Sequence, residues 1–218
     1  MYRAVIFDLD GTLLNTLEDL KDGVNYAMAA HGFPKRSLEE VRVFVGNGIA
    51  KLIERAVPEG TEETVQADVL REFRSYYTAH CRIKTSPYGG ILELLKYLKE
   101  HGISMAIVSN KNDAAVKELA KYYFADYIEI AIGEREGIQK KPAPDSVFEA
   151  MKLLRVEKGQ TVYVGDSDVD RATAANAGLD CISVTWGFRD EETLRNLKPE
   201  YLIHKPEEMV PIIEGKVE

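Results

Sequence analysis

Two aspartates, Asp8 and Asp10, close the apolar run AVIF near the start of the chain, with only Leu9 between them and Gly11 and Thr12 directly after. Carboxylates this close raise each other's proton affinity unless something positive sits between them. Three more acids, Asp166, Asp168 and Asp170, crowd into GDSDVD after a second apolar run, VYV. Ser109 and Asn110 follow AIV, and Lys140 and Lys141 stand in the proline-bounded stretch QKKPAPD. Carboxylates gathered in one crevice call for a hard cation with oxygen ligands, and Mg²⁺ suits a few carboxylates plus water and phosphate. A lysine and a hydroxyl beside them suit a phosphoryl group.

These groups meet only if the elements that carry them are laid side by side. Short β-rich runs recur at AVIF (4–7), SMAIV (104–108), YIEIA (127–131), TVYV (161–164) and CISV (181–184). Each is too short for a helix and most lack strict alternation, as expected of strands covered on both faces. Helical stretches lie between the later runs. ILELLKYLKEHG ends on Gly102, NDAAVKELAKYYF starts with Asn112 as N-cap, PDSVFEAMKLLR opens with Pro144 and Asp145, and DRATAANAG closes on Gly178. Strand and helix alternate, so the spacing predicts an α/β fold with a doubly wound parallel sheet. In such sheets ligands bind at the carboxyl ends of the strands, where every polar group named above falls.

One interval breaks the alternation. Residues 15–82 hold no convincing strand, only helical text such as TLEDLKDGVNYAMAAHG and TEETVQADVLREFRSYYTAHC. The expected organisation is a core of residues 1–14 and 83–218 with an inserted all-helical domain at 15–82. NTL and the Pro- and Gly-bearing RIKTSPYGG are the expected hinges.

Composition narrows the function classes. The 218 residues carry 28 Lys plus Arg against 36 Asp plus Glu, a formal charge of -8, so nucleic acid is not an expected partner. No apolar run approaches a membrane span, and no basic segment followed by an apolar one opens the chain, so the expectation is a cytoplasmic protein without a signal peptide. Cys81 and Cys181 are far apart and lack metal-ligand spacing, which reads as buried thiols.

Taken singly, each motif has a plainer reading. DLDGT serves as a polar turn, VSN as a helix cap, KKPAPD as a solvated loop and the acids of GDSDVD as helix N-terminal charge. Neither acid-rich segment combines the glycine and glutamate that an EF-hand loop requires, and GNGIAK (46–51) has no strand before it to make a dinucleotide loop. The combination, in this order and at these strand ends, is what carries weight.

FDLDGTL, VSN, KKPAPD and VGDSDVD together resemble the four motifs of the haloacid dehalogenase superfamily, and the helical insert resembles its C1 cap. FVGNGIAKLIERAV and VTWGF look like the phosphoglycolate phosphatase branch. The resemblance implies a Rossmann-like core and a phosphatase acting on a small phosphorylated metabolite, with Asp8 as nucleophile and Asp10 as general acid and base. It implies Mg²⁺ held by Asp8, Asp10, Asp166 and Asp170, the Asp10 contribution being its carbonyl. Gly11, Thr12, Ser109, Asn110 and Lys141 would bind the phosphoryl group, and Gly46, Asn47 and Gly48 in the cap would read the leaving group. Phosphoglycolate is the expected substrate, with another small phosphomonoester or pyrophosphate next, in a monomer or homodimer. Two alternatives stay open: a sugar phosphomutase of the β-phosphoglucomutase kind, whose fourth motif typically reads Glu-Asp where this chain has Gly165-Asp166, and a phosphoaccepting signalling module, which is normally shorter and has no helical insert.

Overall fold

A computed structural model describes residues 1–216. The elements run β1 (Ala4–Phe7), β2 (Leu14–Asn15), α1 (Leu17–Ala30), α2 (Leu38–Phe44), α3 (Ile49–Ala56), α4 (Glu63–His80) and β3 (Ser86–Pro87). They continue with α5 (Ile91–Glu100), β4 (Ser104–Asn112), α6 (Asp113–Phe124), β5 (Ile130–Glu134), α7 (Asp145–Leu154) and β6 (Thr161–Gly165). The chain finishes with α8 (Asp168–Ala177), β7 (Asp180–Val184), α9 (Glu191–Asn196), β8 (Tyr201–Ile203) and α10 (Met209–Ile213). It divides into two compact units, residues 1–14 with 87–218, and residues 15–86. The second crossing falls between residues 86 and 87, four residues beyond the position read from RIKTSPYGG.

The first unit is built on a six-stranded parallel sheet in the order β5-β4-β1-β6-β7-β8. β1 lies in the middle; the chain winds outward through β4 and β5 on one side, then through β6, β7 and β8 on the other. That reversal beside β1 opens a crevice at the carboxyl edge. One face of the sheet presents Ile6, Val108, Ile132, Tyr163 and Cys181, which pack on Val147, Ala150 and Met151 of α7 and Ala174 and Ala177 of α8. β1 is buried at all four positions, which explains its unbroken apolar text. The caps are local: the Asn112 side chain accepts from the Ala114 N–H, Ser167 accepts from the Asp170 N–H, and Gly178 ends α8 at φ 71°.

Three sequence expectations need correction here. The fifth strand is Ile130–Glu134, three residues beyond YIEIA, because Gly133 is needed for a close approach of β5 to the end of β4. β8 was not anticipated; three residues at a sheet edge carry too little periodicity to stand out. The interval from residue 15 begins with the second residue of β2, which pairs with β3 in a separate two-stranded sheet.

The second unit holds α1–α4. Leu20, Val24, Ala27 and Met28 recur at helical spacing along one face of α1, and α4 supplies Val69, Phe73 and Tyr77. Gly23 lets the Phe73 ring close on α1, since a Cβ there would sit 3.0 Å from it. Ser37 and Glu40 form a capping box at the start of α2. Buried Asp19 accepts from the backbone N–H groups of Lys84 and Thr85 and from the Thr85 hydroxyl, tying the start of α1 to the segment after α4. Cys81 and Cys181 are both buried and not joined in a disulfide.

Candidate active site

Asp8 emerges from the middle of the sheet, and its own N–H extends the ladder by bonding the Val164 carbonyl at 2.9 Å. Its carboxylate is therefore held by backbone rather than by a loose turn. Lys141 donates from Nζ to Asp8 Oδ1 at 2.7 Å, to Asp170 Oδ1 at 2.7 Å and to the Tyr163 hydroxyl at 3.0 Å. Asp170 also accepts from the Ser167 hydroxyl at 2.5 Å. Asp8, Asp166 and Asp170 are all buried, and each offers an oxygen within 4.8 Å of the others.

Three carboxylates against the one Lys141 ammonium leave two negative charges, the charge of one divalent cation. Burial, opposed by Lys141, drives the Asp8 carboxyl well above its usual range, with repulsion from Asp170 and Asp166 adding to the rise. Burial followed by the charge of Asp170 pushes Asp166 up to about 7. Burial alone would lower the Lys141 ammonium; the charges of Asp170 and Asp8 outweigh it and leave the lysine firmly protonated. With its three carboxyls ionised, this dry set of oxygen donors fits a hard divalent cation, which would relieve the repulsion.

Three glycines make room for the cluster. A Cβ on Gly11 or Gly187 would fall within 3.0 Å of the Asp166 side chain, and one on Gly165 would overlap Asp170. Asp166 is aimed by the Phe188 N–H, which donates to Oδ2 at 2.7 Å, and the Thr12 hydroxyl approaches Oδ1 at 3.4 Å. Trp186 donates its indole N–H to the Thr12 carbonyl at 3.0 Å, which fixes the 186–188 turn against the Asp8–Thr12 loop.

Ser109 and Asn110 arrive on β4. Asn110 and Lys141 exchange two hydrogen bonds, Nδ2 to the Lys141 carbonyl at 2.9 Å and the Lys141 N–H to Oδ1 at 2.8 Å. The Asn110 side chain thus clamps the lysine's loop to the sheet, a task additional to the one expected of its backbone. The Asp10 carboxylate stands apart from the three-acid group and accepts from Lys111 Nζ at 2.8 Å. Asp168 is not brought in: half exposed, it pairs with Arg189 at 3.1 Å. Lys140 lies 3.9 Å from Glu134. Gly46, Asn47 and Gly48 belong to the second unit, where they join α2 to α3 with φ of 130°, 62° and 87°. Arg55 donates to the carbonyls of Phe44 and Gly46 and braces that turn.

Sequence reasoning missed Lys111, Tyr163 and Gly187. Lys111 carried a usable signal, since it lies two residues after Ser109 and a strand repeats its face every two residues. Tyr163 and Gly187 carried none, because both act through tertiary approach.

The profile of the haloacid dehalogenase-like hydrolases matches residues 5–184. The chain belongs to this family. Among haloacid dehalogenase-like proteins it is 30% identical to phosphoglycolate phosphatase 1 of Pseudomonas aeruginosa, across 99% of this chain and 81% of that protein. It is 32% identical to the phosphoglycolate phosphatase of Pseudomonas fluorescens, across 96% of this chain and 79% of that protein. A solved structure from Lactobacillus delbrueckii subsp. bulgaricus, provisionally named a phosphoglycolate phosphatase, superposes with a TM-score of 0.93 at 36% identity, covering 97% of this chain and 98% of its own. The doubly wound parallel core is thus the haloacid dehalogenase-like fold.

Proposed function

We propose that this phosphoric monoester hydrolase is an Mg²⁺-dependent phosphoglycolate phosphatase working through an aspartyl-phosphate on Asp8. The observation that carries the reading is Lys141, whose ammonium touches Asp8 and Asp170 at 2.7 Å beside Asp166, in a buried cluster that, with its carboxyls ionised, holds two negative charges in excess. The names of the relatives support the choice of substrate.

In this reading the Asp8 carboxylate attacks phosphorus, the bond from phosphorus to the ester oxygen breaks, and Asp10 gives its proton to the departing glycolate. Asp10 then takes a proton from water, which attacks the same phosphorus; the bond to Asp8 breaks and phosphate leaves. Ser109 donates its hydroxyl hydrogen to a phosphoryl oxygen, since its lone pairs already accept from the Lys111 N–H at 3.2 Å. Gly11, Thr12 and the Asn110 backbone line the same phosphoryl position, and Lys141 balances the charge of Asp8 and phosphate. The carboxylates of Asp8 and Asp166 and the Asp10 carbonyl would hold Mg²⁺, with Asp170 behind them. Mg²⁺ would supply charge stabilisation at the phosphoryl oxygens. The smaller unit, residues 15–86, would act as the cap, its Gly46–Gly48 turn offering backbone N–H groups to the glycolate carboxylate.

The test is a panel of phosphate esters assayed with and without Mg²⁺, with Asp8→Asn protein as the blank. Phosphoglycolate should give the highest kcat/KM, and Asp8→Asn should lose at least about a thousandfold, the scale of removing a covalent nucleophile. Substantial turnover by pure Asp8→Asn protein would end the aspartyl-phosphate reading.

A further inference from the structure

Lys111 is a lysine in an expensive place. Its side chain is only 5% exposed, and that of its Asp10 partner 16%, at a separation of 2.8 Å between Nζ and Oδ1. Buried charge pairs of this kind seldom add stability over an apolar pair, so their retention asks for another reason. The backbone makes a deliberate effort to put it there. Between Val108 and Asn112, β4 advances four residues while β5 advances two, from Ile132 to Glu134. That irregularity carries Ser109, Asn110 and Lys111, and it exists because Gly133 lets β5 come close: a Cβ there would meet the Lys111 carbonyl and the Asp113 backbone under 3.0 Å. The same three residues aim Ser109, clamp the Lys141 loop and reach Asp10.

We propose that Lys111 is a positioning residue for the proton-transfer steps: it holds the Asp10 carboxylate toward the leaving oxygen and out of the Asp8–Lys141–Asp170 cluster. Without it, the Asp10 carboxylate loses the cation that fixes it at 2.8 Å, and the acid is no longer held toward the leaving group. Lys111 acts through Asp10, while Lys141 acts on Asp8. The two lysines thus divide the two opening aspartates between them. This inference rests on the aspartyl-phosphate reading, and its test separates the two.

The test is a double-mutant cycle of Lys111→Met and Asp10→Asn, with Lys111→Arg as the conservative variant and Asp8→Asn as the blank. With phosphoglycolate, Lys111→Met should lower kcat about a hundredfold while KM stays within about threefold, as expected when an acid–base group is misplaced and ground-state binding is kept. Inhibition by inorganic phosphate should not change. With p-nitrophenyl phosphate, whose leaving group needs little protonation, the first release of nitrophenolate should survive and hydrolysis of phospho-Asp8 should slow. Lys111→Arg should recover much of the loss. In the Asp10→Asn background Lys111→Met should cost almost nothing more. A Lys111→Met loss that is just as large in that background would overturn the assignment, as would weaker phosphate inhibition matching a raised KM, which would make Lys111 a phosphoryl ligand. Should Lys111→Met fail to fold by circular dichroism, Lys111→Gln takes its place in the cycle and is judged by the same criterion. Activity in Asp8→Asn would strike the underlying mechanism, whereas additive losses strike only the role of Lys111.

Discussion

The Lys141 ammonium cannot be removed without consequence, because it would strand Asp8 and Asp170 as buried charges, a loss of about 3–5 kcal/mol in comparable cases. Asp8 is the cleaner probe. Its charged form is disfavoured by burial and by two neighbouring acids, and an asparagine of the same shape still accepts from Lys141. Asp8→Asn protein should therefore melt no lower than wild type in chelator while being inactive, and a large fall in its melting temperature would mean that activity was lost with the fold. Gly48 offers a test of the proposed reading of the leaving group instead. Its φ of 87° and ψ of 171° form a conformation almost reserved for glycine, so Gly48→Ala must distort the turn that opens α3. If that turn reads the glycolate carboxylate, kcat/KM for phosphoglycolate should fall about tenfold, the worth of one charge-assisted hydrogen bond, while p-nitrophenyl phosphate is nearly unaffected. Equal losses on both esters would make the turn a plain connection between helices.

At the scale of elements, the end of β4 decides the most. Gly133→Ala should push β5 away from the Lys111 carbonyl and cost about 1–3 kcal/mol, the usual range for overpacking, readable as a lower urea midpoint. It should also lower kcat more than it raises KM; unchanged stability and rate would show that the close approach is slack. The same place shows where sequence reading runs out. β1, β6 and β7 announce themselves because both faces are buried and the text is largely apolar, and the acids of the site follow the first two. The caps at Asn112 and Gly178 are equally legible, being local chemistry. β5 is not, because IAIGE owes its position to a neighbouring backbone that no window of sequence contains. Of the site, Asp8, Asp166, Asp170 and Lys141 were legible from strand-end placement and now lie together. Lys111, Tyr163 and Gly187 escaped: a lysine after a strand reads as solvated charge, and a tyrosine or glycine declares nothing about what it approaches.

For the molecule as a whole, a net charge of -8 with an acidic cluster only partly balanced by Lys141 makes proton binding part of its stability. Asp166 holds its proton up to about pH 7 in the folded, metal-free protein, against 3.8 for a free aspartate. The folded state thus keeps a proton that the unfolded chain has lost, so stability from this group is full at low pH and disappears as pH rises through 7. In chelator the melting temperature should fall between pH 5 and 8 on this account. If Mg²⁺ takes the proton's place, as proposed, it should raise the melting temperature more at pH 8 than at pH 5. A Mg²⁺ effect of equal size at both pH values would count against the cluster as the cation's seat. The molecule also carries its own reporter for that measurement. Trp186 is the chain's one tryptophan, its indole N–H is bonded to the Thr12 carbonyl, and the next two residues bear on Asp166. Light at the red edge of indole absorption, where the eleven tyrosines do not absorb, therefore excites one known point beside the acids, and a titration followed by that emission reads this corner of the fold alone.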